Sequence, residues 1–205
     1  MSMEEFYHLI RNRRAVRRYE DRAVPEDLLE RLLETAVWAP SAHNRQPWRF
    51  AVLRSFESKD KLARAMGAKL RQDRLSDGDK LSLIERDVSR SYARITGAPV
   101  VILFFLSMSD MDHYPDRAPT GDRNEAERLM AVQSVAMAVQ NLWLLASAEG
   151  LGACWLCAPL FVPELVQQTL DLPPDWEAQG LLTIGWPAEE RQKDRRPRQE
   201  SVLFL

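Results

Sequence analysis

Residues Val100–Leu106 read VVILFFL, seven apolar positions in a row. A strand that is apolar on both faces belongs at a covered, central position of a sheet. The run is also far shorter than the roughly 20 residues that cross a bilayer. Upstream of it, Lys80–Ile95 has helical periodicity but is strongly charged, so much of it faces water. Ser76-Asp77-Gly78 marks a turn, Ser58–Arg71 a further helix, and Trp48–Leu53 a strand. Before these, Leu28, Leu29, Leu32, Leu33, Ala36 and Val37 recur at helical spacing from Pro25 and stop at Pro40. The first helix is expected over Ser2–Asn12, with Ser2 as N-cap.

Downstream, a loop rich in Asp and Pro leads into Glu125–Glu149, a helix apolar almost all round that ends at Gly150. Such a helix fits the centre of a core or a subunit interface. Ala153–Leu156 and Leu181–Trp186 read as strands around a short helix at Pro163–Leu170. The last residues, Ser201–Leu205 (SVLFL), are apolar beyond a polar tail. A terminal strand needs a sheet edge, and a partner subunit's sheet would serve. The expectation is one α+β domain over 1–205, in an intertwined dimer.

Composition sets outer limits. The 205 residues carry 45% apolar and 28% charged types with a net charge of −2, which gives no push toward nucleic acid or an anionic membrane. Glu4 and Glu5 interrupt the N-terminus, against a secretory signal, and two cysteines make no disulfide framework. The resulting expectation is a cytoplasmic protein with no membrane or nucleic-acid partner.

Three clusters carry chemistry. Arg13, Arg14, Arg17 and Arg18 surround Ala15 and Val16 just after the first helix. Guanidinium is a permanent cation whose planar fork matches phosphate oxygens, so the segment fits a phosphate site or a solvated basic patch. It lacks a helix-turn-helix pattern, which speaks against DNA. Between two prolines, Pro40-Ser41-Ala42-His43-Asn44-Arg45-Gln46-Pro47 lines up donors and acceptors suited to reading the edge of a heterocycle. Lys193–Arg198 (KDRRPR) is basic again, and two arginine-rich segments meeting at one dianionic phosphate would make physical sense. Cys154 and Cys157 have redox-motif spacing, but they fall on a strand with nothing to lower a thiol pKa, and the scattered histidines complete no zinc site. No P-loop, GxGxxG or serine-nucleophile motif is present.

In this order, Arg-Arg-x-x-Arg, Pro-Ser-x-x-Asn-x-Gln-Pro-Trp, the strands Gly152–Trp155 and Leu182–Pro187, and the basic-Pro tail resemble the nitroreductase superfamily of FMN flavoproteins. The resemblance spans nearly the whole chain. It implies a nitroreductase-like fold, a central, mostly antiparallel sheet flanked by helices, and a strand-exchanged homodimer with two FMN sites at the interface. Carried over, Arg13, Arg14 and Arg17 bind the phosphate and the flavin's polar edge, with Ala15 and Val16 touching through backbone. Pro40, Ser41, Ala42 and Asn44 approach the same flavin from the other subunit. Cys157 presents a backbone amide near the flavin N5, and either Lys193 or Arg196 completes the phosphate clamp. Ala15 stands where many members have Ser, which removes one phosphate hydrogen bond.

A finer resemblance, in Arg71–Asp73, Ser76–Gly78, His113–Asp116 and Leu172–Glu177, is to the C-terminal flavin domain of the bifunctional coenzyme F(420) gamma-glutamyl ligase. It implies reduction of a dehydro precursor of a deazaflavin coenzyme, with Ser41 and Asp73 as substrate contacts. The expected chemistry is ping-pong hydride transfer from a reduced nicotinamide or deazaflavin donor, through FMN, to a small electron-poor acceptor. The flavin carries that chemistry, so no side chain is expected to be an essential catalyst and no metal is implied. The alternatives are a general nitroaromatic or quinone reductase, a flavin enzyme of another reaction type such as ring fragmentation, and a non-enzymatic flavin-binding or interaction protein.

Overall fold

The computed structural model describes residues 2–115, 123–190 and 192–205. Six α-helices and four strands are found among them: α1 (Met3–Asn12), α2 (Glu26–Val37), β1 (Trp48–Leu53), α3 (Phe56–Ser76), α4 (Leu81–Thr96), β2 (Val100–Leu106), α5 (Arg123–Ala148), β3 (Gly152–Leu156), α6 (Pro163–Leu170) and β4 (Glu177–Gly185). The strands form one sheet in the order β1-β2-β4-β3, every pair antiparallel. The VVILFFL strand is therefore interior, and every residue of it is buried.

Side chains alternate across a strand, and that splits β2 between two cores. Val100, Ile102, Phe104 and Leu106 pack with Leu29 and Leu32 of α2 and Val135, Leu142 and Trp143 of α5. Val101, Leu103 and Phe105 pack on the other side with Leu62 and Met66 of α3, Ile95 of α4 and Val166 of α6. Helices thus cover both faces, as expected for an α+β nitroreductase-like fold. α5 is long and apolar enough by length and composition to cross a membrane. Its apolar character has a local cause, since it lies between the sheet and α2 and buries Val135, Val139, Leu142 and Trp143 there.

Local chemistry explains most boundaries. Ser2 closes a capping box on α1: its Oγ accepts from Glu5 N at 3.2 Å, and Ser2 N donates to Glu5 Oε2 at 2.6 Å. Gly150, at φ 79°, turns the chain out of α5 in the left-handed region that glycine adopts without strain. Three expected boundaries were too narrow. α3 starts at Phe56, because Ser55 rather than a later residue caps it, accepting from Ser58 N. It runs on to Ser76, where Arg71 bonds Glu85 and Arg74 bonds Asp87 across to α4, and Arg74 also holds Asp79 in the connection after the Asp77-Gly78 turn. β4 begins at Glu177 and ends before Trp186, whose indole N–H instead donates to Ala23 O at 3.1 Å.

The Ser201–Leu205 segment forms no strand within the chain and is exposed along its whole length; Phe204 is 84% accessible. α1 likewise buries none of its residues. Asp116 of the expected His113–Asp116 loop lies outside the described residues.

Candidate functional site: a cationic cleft at the edge of the sheet

The arginine-rich segment is drawn onto the sheet by its backbone. Val16 N donates to Ala153 O at 2.9 Å, and Ala15 forms a parallel bridge with Ala153 on the outer edge of β3. Gly152 makes this approach feasible, because a Cβ there would lie 2.7 Å from Val16 Cβ and Cγ1. Further on, Tyr19 OH bonds Val16 O and Thr183 Oγ1, both at 2.7 Å. Burial is the main cause that raises the Tyr19 pKa, so the phenol acts as a neutral pin rather than a titrating group.

The segment's side chains then fall into two cavities. One, of about 650 Å³, is lined by the cations Arg13, Arg14 and Lys193 and by the carboxylates Glu189, Glu190 and Asp194, with Val16 and Gly152 between them in the lining. Arg13 lies over the Trp143 ring, 4.1 Å from its centroid. Burial, then the charges of Arg195 and Arg14, lower its pKa from the ordinary guanidinium value. Arg14 donates through Nη1 to Arg11 O at 2.6 Å, but its buried Nε has no partner. Buried N–H groups are ordinarily paired. An unpartnered buried guanidinium N–H beside Arg13 and Lys193 fits an anionic ligand such as a phosphate.

The second cavity, about 490 Å³, is lined by Arg17, Arg18, Arg90 and Arg94 together with Tyr19, and among the described residues no carboxylate lines it. Arg17 is held by its backbone N–H on Glu189 Oε1 at 2.7 Å. The expected set of Arg13, Arg14 and Arg17 is thus divided between the two sides of the segment. The structure also places the basic tail. Lys193 lines the first cavity and an adjoining one of about 550 Å³ with Arg14 and Arg195, while Arg196 lines neither. Arg195 falls within the basic Lys193–Arg198 tail singled out in the sequence, whereas Arg90, Arg94 and Trp143, which line or adjoin these cavities, were not legible there. Those three are brought in by α4 and α5.

The Pro40–Pro47 loop lies elsewhere on α5. Ala42 N donates to Ser134 Oγ at 3.2 Å, nine positions before the Trp143 that carries Arg13, a separation of about 13 Å at 1.5 Å per residue. Ser41 Oγ accepts from Gln46 N at 3.0 Å, and Gln46 Nε2 donates to Asn44 Oδ1 at 3.2 Å. These bonds hold His43, Asn44 and Gln46 at φ 50°, 55° and 51°. For non-glycine residues that costs on the order of 1 kcal/mol or more each, and such strain concentrates at ligand-binding loops. The loop lines none of the three cavities around the arginine segment.

Cys157 is exposed just past the end of β3, Cys154 is buried within that strand, and neither is in a disulfide. Asp73 is ion-paired to Lys69 on α3, over the opposite face of the sheet from the Ser41 loop. Among the described residues no group of three or more His, Cys, Asp or Glu could hold a metal ion.

Residues 10–186 match the model of the Nitroreductase family. The chain belongs to that family. It is 30% identical over 212 residues to an NADH dehydrogenase of Thermus thermophilus, covering 94% of this chain and 91% of the relative. It is 31% identical over 194 residues to a 5,6-dimethylbenzimidazole synthase of Rhodospirillum rubrum, covering 87% and 80%. Among solved structures, a nitroreductase from Desulfovibrio desulfuricans in complex with FMN superposes with a TM-score of 0.75 at 28% identity, covering 100% and 98% of the two chains. A BluB-like flavoprotein of Clostridium difficile, at 22% identity and a TM-score of 0.78, shares the fold over 100% and 99%.

Proposed function

We propose that this nitroreductase-family oxidoreductase binds FMN in the cationic cleft and, as a homodimer, passes reducing equivalents from a reduced nicotinamide to a small electron-poor acceptor. The observation that carries the reading is the Arg13–Arg14–Lys193 cluster, with its stacked arginine and its unpartnered Arg14 Nε. FMN, when bound, supplies the two-electron hydride chemistry. The chain's residues bind and bias it. Arg13, Arg14 and Lys193 hold the phosphate, with Arg195 adding charge beside them, and Arg17 supplies positive charge toward the ring's polar edge and favours the reduced, anionic form. Ala15 and Val16 contribute close backbone, and Cys157 its main-chain amide.

Three features support the homodimer. The Ser41–Asn44 loop is about 13 Å away along α5 from Arg13. α5 leaves Leu129 and Met137 exposed, and the Val202–Leu205 tail is uncovered. Apolar surface of this kind marks association sites.

The test is spectroscopic. The purified protein is expected to be yellow or to become so with FMN, to bleach with NADH or NADPH under anaerobic conditions, and to recolour with a quinone or nitroaromatic. A protein that stays colourless in excess FMN refutes the reading. A deazaflavin precursor in the acceptor panel tests the finer role of Ser41 and Asp73. The likeness to a synthase of R. rubrum favours a second reading, a flavin enzyme of another reaction type such as ring fragmentation. Loss of bound FMN during aerobic turnover without an added acceptor would separate it from the first.

A further inference from the structure

Two stiff loops stand side by side at one end of the sheet, where β1 begins and β2 ends with Trp48 paired to Leu106. The first is Pro40–Pro47, with its three left-handed residues. The second follows β2 and carries Asp110, Asp112 and His113. It is anchored at its far end, where Tyr114 N donates to Asn124 Oδ1 at 2.8 Å and Asn124 Nδ2 donates to Tyr114 O at 2.9 Å. Two ion pairs reach the second loop, Arg45 Nη2 of the first loop to Asp112 Oδ1 at 2.5 Å and Arg49 Nη2 of β1 to Asp110 Oδ2 at 3.4 Å. The shorter one sits between two exposed histidines, with His43 two residues before Arg45 and His113 directly after Asp112.

We propose that Arg45 and Asp112 are a positioning pair that fixes the Asp110–Tyr114 loop as a second wall beside the acceptor, and so sets acceptor affinity without contributing to FMN binding. This rests on the reading that the Pro40–Pro47 loop faces the flavin. Neither residue lines the cationic cavities. Internal bonds from Ser41, Asn44 and Ser134 hold the first loop's own shape without Arg45. What Arg45 adds is the tie to its neighbour. Both side chains are about two-fifths exposed, so salt weakens the tie.

The experiment uses the FMN-loaded wild type and the variants Arg45→Ala, Asp112→Asn and their combination, with menadione as acceptor and the nicotinamide donor saturating. Each single variant is expected to raise the menadione KM about two- to fivefold, the range open to an exposed ion pair. kcat, FMN Kd and thermal midpoint stay at wild-type values. The double variant is no worse than either single one, and raising ionic strength lifts KM in the wild type but not in the variants. An unchanged KM, an additive double variant, or FMN loss that parallels the KM change overturns the proposal. A wild type that binds no FMN refutes the functional reading itself, whereas an active, FMN-bound wild type with silent variants refutes only the positioning pair.

Discussion

Gly152→Ala tests the claim that backbone packing, not side-chain charge, places the arginine segment. The added methyl would sit 2.7 Å from Val16 Cβ and Cγ1 and 3.0 Å from Cγ2, against about 3.5–4.0 Å for a comfortable carbon contact. Either β3 or the segment must give by about 1 Å. β3 is paired along its whole length to β4, while the segment meets β3 at only one bridge, so the segment moves. Overpacking costs about 1–3 kcal/mol and the Val16 N–Ala153 O bond about 1 kcal/mol more. A total of about 2–4 kcal/mol lowers the midpoint of a domain this size by roughly 4–16 °C. Displaced by that amount, Arg13 or Arg14 would lose a charge-assisted bond to the phosphate worth about 1.5–3 kcal/mol, a weakening of FMN binding by at least about tenfold. Thermal unfolding with FMN absent and a flavin-fluorescence titration measure the two effects. Wild-type values in both would show that the segment is placed by something other than the Gly152 contact.

Other expectations follow from single contacts. Lys193→Ala should weaken FMN binding about tenfold or more and Arg196→Ala should leave it unchanged in the same titration; equal effects would redraw the clamp. Removal of residues 201–205 should shift sedimentation toward the monomer and release FMN, and a truncated chain that stays dimeric and yellow would discount the tail. Buried Lys59 donates to Ala98 O at 2.6 Å, so Lys59→Met should cost about 1–3 kcal/mol by leaving that carbonyl unpaired. Burial lowers the Lys59 pKa in the folded state below its ordinary 10.5. The unfolded chain therefore holds the proton more tightly, and wild-type stability relative to the variant should rise as pH climbs toward 10.5; urea midpoints at neutral and alkaline pH check the sign. A thiol reagent should titrate one cysteine, Cys157, in the native protein and a second, Cys154, only in denaturant.

The elements whose hydrophobic period is strong could be read directly: VVILFFL as the interior strand, the leucines of α2, and the all-round apolar α5. Boundaries set by partners far along the chain could not. The last turn of α3 depends on Glu85 and Asp87 of α4, and the first residues of β4 depend on pairing with Phe105 and Leu106. The site shows the same division. Guanidinium chemistry left Arg13 and Arg14 open between a phosphate site and a solvated basic patch, and the role of Gly152 arises only when β3 and the segment meet. Arg90 and Arg94 are unremarkable members of a charged helix until α4 turns them toward Arg17. Asp73 was singled out by resemblance, and in the fold it is ion-paired along its own helix.

The bridge at Ala15–Ala153 has a consequence beyond ligand binding. β3 would otherwise offer a naked row of backbone donors and acceptors to any passing strand, and the chain's own Arg13–Tyr19 segment blocks that edge with one bridge at Ala15–Ala153 and the bulk of its side chains. Four arginines alongside it add a charge barrier of the kind that discourages edge-to-edge association. β1, at the opposite margin, has no strand beyond it among the described residues. A sheet closed on one side and open on the other can accept a strand at a single margin, so recruitment there ends after one addition instead of propagating into a fibre. The peptide that gathers the cations therefore also limits how far the protein can assemble.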